Sequence, residues 1–100
     1  QNNGIDFSSP PGTRARAVFD GEVTKIVAIL GANYTVLVMH GEYLSVYQNV
    51  IDLKVKAGDM ISVKQEIGII YTNQDENMAV LHFQIWKAKE IMDPEKWISK

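Results

Sequence analysis

One hundred residues with two histidines and no cysteine leave few kinds of chemistry open. The length gives one domain with a modest core, burying about 65% of the extended-chain surface, and 46% hydrophobic with 22% charged residues is ordinary globular composition. The missing Cys excludes disulfide frameworks, thiolate zinc sites, iron–sulfur clusters and cysteine nucleophiles, and a net charge of −2 offers no basic surface for nucleic acid or anionic membrane.

Hydrophobicity alternates with period two through most of the chain, so strands are expected. Asn2-Asn3-Gly4 turns into a short strand, Ile5 to Phe7. Ser8-Ser9-Pro10-Pro11-Gly12 reads as a loop, because prolines cannot donate to a ladder. A second strand runs from Arg14 to Phe19, and Asp20-Gly21 signals a tight turn into a third, Glu22 to Leu30. Gly31-Ala32-Asn33 turns the chain into Tyr34 to His40; Gly41-Glu42 then forms a hairpin turn into Tyr43 to Gln48. Asn49 to Val63 reads as irregular with short strands, punctuated by Ala57-Gly58-Asp59. Glu66 to Tyr71 is a strand, Thr72 to Asn77 a polar loop, and Met78 to Lys87 the last long strand. Asp93-Pro94 starts a short terminal helix or turn, after which Trp97 packs back on the body. These elements predict an all-β fold, an antiparallel β-sandwich or partly open barrel with no long helix.

Alternation sorts the side chains into faces. Val80, His82, Gln84 and Trp86 point one way on the last strand, and Leu81, Phe83 and Ile85 the other. Tyr34, Val36, Val38 and His40 share a face of the strand before the second hairpin. If the two mixed faces meet, Tyr34, His40, His82 and Gln84 line one groove. Arg14 and Arg16 read either as edge-strand solvation or as contacts to acidic groups on a partner. Tyr34, Tyr43 and Tyr47 read either as cross-strand packing or as partner anchors, with Trp86 the stronger anchor. Lys87, Lys89, Lys96 and Lys100 form a solvated end.

The ordered set Asn2-Asn3-Gly4-Ile5-Asp6, Pro11-Gly12-Thr13, Ala17-Val18-Phe19-Asp20-Gly21-Glu22-Val23, Val36-Leu37-Val38-Met39-His40, Tyr43-Leu44-Ser45-Val46-Tyr47, Val55-Lys56-Ala57-Gly58-Asp59 and Leu81-His82-Phe83 resembles lysostaphin-type (LytM) zinc metallopeptidase domains. The resemblance runs from Asn2 to about Trp97 and implies a lysostaphin-like, barrel-sandwich hybrid fold. In active members zinc is held by the His and Asp of a His-x-Gly-x-Asp pattern and by the second His of a His-x-His pair. By position, Asp6 and His82 match two ligands and His40 matches a central-strand His; Asn2 stands at the first ligand His and Val80 at the first His of the pair. Lys64 stands where a Gly is common and alters a turn. An Asn amide is a poor zinc ligand, and Val80 can neither move a proton nor stabilise an oxyanion. The resemblance thus implies a non-catalytic domain, with no zinc or other cofactor expected; any metal falls to Asp6 and His82.

Degenerate LytM domains occur in EnvC-like murein hydrolase activators, and this variant resembles that subgroup. The resemblance implies a periplasmic or other extracytoplasmic domain whose emptied groove binds the regulatory helix of an N-acetylmuramoyl-L-alanine amidase during peptidoglycan remodelling or cell division. A monomer is expected, with peptidoglycan a further ligand, and no nucleic acid or membrane insertion by this domain. The alternatives are a zinc metallopeptidase with a rebuilt site and a peptidoglycan-binding module without an enzyme partner. A biotinyl or lipoyl carrier needs a modifiable Lys at a hairpin tip, and Lys87-Ala88-Lys89 follows the last strand instead. No apolar run approaches the roughly 18 residues of a membrane span, and the sequence does not open on a basic-plus-apolar stretch. Residues 1–100 therefore read as a single domain taken from a longer envelope protein.

Overall fold

A computed structural model describes residues 3–28 and 33–87, and these form an all-β, antiparallel structure with no helix. The strands are β1 (Asn3–Ser9), β2 (Arg14–Arg16), β3 (Gly21–Ala28), β4 (Tyr34–His40), β5 (Tyr43–Ile51), β6 (Met60–Ile61), β7 (Glu66–Ile70), β8 (Thr72–Asn73) and β9 (Met78–Lys87). The main sheet is ordered β1-β9-β5-β4-β3-β6 and does not close; β7 branches from β5 and carries β2, and β8 pairs with the start of β9. The terminal segment with Asp93-Pro94 and Trp97, and the end of the third predicted strand at Leu30, lie outside the described residues.

One face of the sheet makes the core. Tyr47 on β5 sits opposite Val36 on β4 and Phe83 on β9, and Ser45 sits opposite Val38 and Ile85. The β2–β7 pair covers this face with Ala15, Ile67 and Ile70. Tyr47 is wholly buried, and its ring lies 5.2 Å from that of Phe83. Burying such side chains contributes roughly 1.5–3 kcal/mol each before ordering costs. The β4–β5 hairpin matches its sequence signal: His40 pairs with Tyr43, and Gly41 takes φ 62° in the two-residue turn.

The strand predicted for 14–19 stops at Arg16. The amide of Ala17 still bonds the carbonyl of Gln65, but the chain bends at Val18-Phe19 and leaves the β2–β7 pair. Asp20-Gly21 is therefore no hairpin turn: β2 pairs with β7, while β3 pairs with β4 and β6. A local turn signal states that the chain bends, not which strands it joins. Gly21 has a packing reason instead, since a Cβ there would fall on the Met39 carbonyl and 2.6 Å from His40 Nδ1. The predicted irregular stretch also gives up its start to β5, which continues through a bulge at Asn49 to Ile51.

Lys64 holds φ 72°, a left-handed backbone in which a Cβ costs about 1–2 kcal/mol. Lys64→Gly should stabilise the domain by about 0.5–1 kcal/mol after the entropy of Gly is subtracted, and Gly21→Ala should destabilise it by about 2 kcal/mol. Urea midpoints of the two variants against the wild type check both signs.

Candidate functional site

The β1–β9 register sets Asp6 directly opposite His82 on the face away from the core. His82 Nδ1 lies 2.7 Å from Asp6 Oδ1, with the two side chains 44% and 64% exposed. A carboxylate only accepts, so Nδ1 carries the shared proton. Beside the pair opens a cavity of about 320 Å³ lined by Asn33, Asn49, Asn73, Glu76, Val80 and His82, among others. Asn49 reaches it from the β5 bulge at φ 86°. Its amide donates to the Val80 carbonyl at 2.7 Å, and Asn33 donates to Asn49 Oδ1 at 2.5 Å. Gln84 continues the His82 row toward Trp86, whose Nε1 donates to Gln84 Oε1 at 2.9 Å.

His40 does not join this site. Register places it with Tyr43 and Lys87 on the core-side face, opposite to the row of His82, Gln48 and Thr35. Its Nδ1 donates to the Asp20 carbonyl at 2.6 Å, and its Nε2 shares a hydrogen bond with Ser45 Oγ at 2.5 Å. Phe19 stands edge-on to the ring at 5.5 Å, and the group opens on a separate cavity of about 390 Å³ with Tyr43 and Ile85. The groove grouping Tyr34, His40, His82 and Gln84 is thereby corrected. Alternation fixes parity within one strand, whereas the face shared by two strands depends on register.

The other candidates separate similarly. Tyr47 is not an anchor in a groove: it is fully buried, and its hydroxyl accepts the Val18 amide at 3.0 Å. Tyr34, on β4, is exposed beside the β5 bulge. Arg14 and Arg16 flank buried Ala15, away from the core, and are engaged within the β2–β7 region. Arg14 Nε lies 3.2 Å from Glu66 Oε1, and Arg16 donates to the Lys64 carbonyl at 3.1 Å. Asn2 lies outside the described residues. Asn33, Asn49, Asn73 and Glu76 were not singled out by sequence, since polar loop residues carry no periodic signal and the Asn49 bulge is a pairing feature.

The described donors at this site do not fit a zinc ion. They are one carboxylate and one imidazole already joined to each other, beside a valine and carboxamides. No group of three His, Cys, Asp or Glu able to hold a metal occurs among the described residues.

The sequence model of Peptidase family M23 matches residues 1–94. An "Uncharacterized metalloprotease" of Buchnera aphidicola is 26% identical over 94% of this chain and 25% of its own length. The chain spans about a quarter of the length of the curated relatives it matches. Among solved structures, cbpa from L. salivarius REN is 34% identical, covering 89% of this chain and 58% of that one, with a TM-score of 0.72. Lysostaphin in solution is 25% identical over 82% of this chain and 35% of its own, with a TM-score of 0.70. A chain in the crystal structure of the SpoIIIAH and SpoIIQ complex is 28% identical over 84% of this chain and 57% of its own, with a TM-score of 0.64. The all-β, lysostaphin-like fold expected from sequence holds.

Burial raises the Tyr47 hydroxyl above its ordinary value near 10, with the Ser45 and Val18 hydrogen bonds acting the other way. The unfolded chain then releases this proton first, so the Tyr47 contribution to stability is complete below about pH 10 and is lost as pH rises through the higher folded value. Tyr47→Phe should flatten that alkaline decline and cost about 1–2 kcal/mol at neutral pH by orphaning the Val18 amide. Thermal melts from pH 7 upward measure both.

Proposed function

The chain belongs to Peptidase family M23, and we propose that it serves there as a non-catalytic binding module that activates a cell-wall amidase. The observation that carries this reading is the donor set beside the cavity, one carboxylate and one imidazole with Val80 and carboxamides around them. A groove of this make-up can hold a ligand through hydrogen bonds, while among its described residues one carboxylate and one imidazole fall short of the three ligands that a zinc-activated water needs. The partner is a regulatory helix of an N-acetylmuramoyl-L-alanine amidase, seated over the cavity beside His82 and released from autoinhibition when captured. The SpoIIIAH and SpoIIQ complex supports protein binding as a use of this fold. The setting is extracytoplasmic, in the EnvC-like manner, during peptidoglycan remodelling or cell division.

Purified domain added to a cognate amidase and dye-labelled sacculi should raise dye release several-fold, with no release from the domain alone. Gln84→Ala and Trp86→Ala, both beside the cavity row, should weaken stimulation without unfolding the domain. Stoichiometric zinc by metal analysis together with murein release by the domain alone would establish the peptidase reading instead. Saturable binding to sacculi without any effect on amidases would establish the peptidoglycan-binding reading.

A further inference from the structure

The outer edge of β1 is the least defended strand edge among the described residues. β1 ends the strand order, with β9 on one side and no described strand on the other. It is seven residues long, keeps an unshifted register with β9, and contains no Pro, Lys or Arg. Other boundary strands carry the usual protection. β6 is two residues long, and β2 is three residues long with Arg14, Arg16 and a register shift between Ala15 and Arg16. β3 carries Lys25 and a register shift just before it. On β1, by contrast, Ile5 and Phe7 stand 55% and 47% exposed. Their register partners, Phe83 and Leu81, belong to the core, so Ile5 and Phe7 continue the core face past the last strand. Free N–H and C=O groups along such an edge are a template for one more strand.

We propose that β1 takes up an extended segment of a protein partner as an added strand, with apolar side chains beside Ile5 and Phe7 and a basic side chain beside Asp6. Backbone hydrogen bonds supply the affinity, and the alternating side chains supply the selectivity. The Asp6 carboxylate is 64% exposed on the opposite face from Ile5 and Phe7, where a cation directly across the ladder is favourable. A second copy fits less well. Antiparallel pairing that uses every residue of two β1 strands is centred on Asp6 and opposes two carboxylates, while shifted registers leave residues unpaired. The proposal shares Asp6 with the site of the amidase reading but not its ligand, since a strand on this edge and a helix over the His82 cavity are different partners.

The probe is acetyl-Thr-Val-Lys-Val-Thr-amide, titrated into the isotope-labelled 100-residue chain and followed by amide resonances. Saturable shifts concentrated on β1, with slowed exchange of those of its amides that point away from β9, are expected. The peptide with Glu for Lys should bind several-fold more weakly, an N-methylated backbone should not bind, and Asp6→Lys should reverse the Lys-over-Glu preference. Ile5→Lys should abolish binding while β9 amides stay protected, which separates loss of the edge from loss of the fold. The proposal is overturned if the β1 amides that point away from β9 are already protected in the free protein, if the N-methylated peptide binds equally, or if Lys and Glu peptides are not distinguished. A concentration-dependent dimer that Ile5→Lys disperses would assign the edge to a second copy and overturn it as well.

Discussion

Everything in this structure depends on the register of β9, the long strand held between β1 and β5. Ladder hydrogen bonds on both sides lock it, so Ala79, Leu81 and Phe83 are buried while Val80, His82 and Gln84 look outward. A slip of one residue would exchange the two sets, burying an imidazole and a carboxamide and exposing a phenylalanine. The same register delivers His82 to Asp6 and Phe83 to Tyr47. Site and core are therefore two faces of one pairing decision.

Tyr47 shows how the core side recruits the connections. Its ring is sealed between Val36 and Phe83, and its hydroxyl catches the Val18 amide where the chain bends away from β2. A few residues on, His40 ties the Asp20 carbonyl to Ser45 on β5. Two buried or half-buried polar groups thus fasten a segment that has no ladder of its own. Gly21 lets β3 come close enough for this, because the space of a side chain there is already filled by the Met39 carbonyl and the His40 ring. His40, read from sequence as a groove residue, serves this fastening on the other side of the sheet.

The outward side is polar. Asp6 and His82 satisfy each other, and Asn33, Asn49 and the Val80 carbonyl form a chain of carboxamide bonds beside them. Such a surface is suited to holding polar groups of a ligand, and its own bonds keep the recognition atoms in fixed directions. Family M23 membership places this surface on a peptidase-family fold.

The sequence by itself determined the seven longer strands, about half of their ends, the Gly41-Glu42 hairpin and the family, while Ser8-Ser9 and Thr72-Asn73, read as loop, join β1 and form β8. Those are local matters, set by period-two alternation, by turn residues and by ordered motifs along the chain. Only the tertiary structure decided which strands pair and which faces meet. It sent β2 to β7 rather than to β3, put His40 and His82 on opposite sides of the sheet, buried Tyr47, and used the bulge at Asn49 to bring an unremarked asparagine to the site. Parity within a strand can be counted along the chain. Parity between strands is fixed by register and bulges, which depend on contacts between residues far apart in sequence.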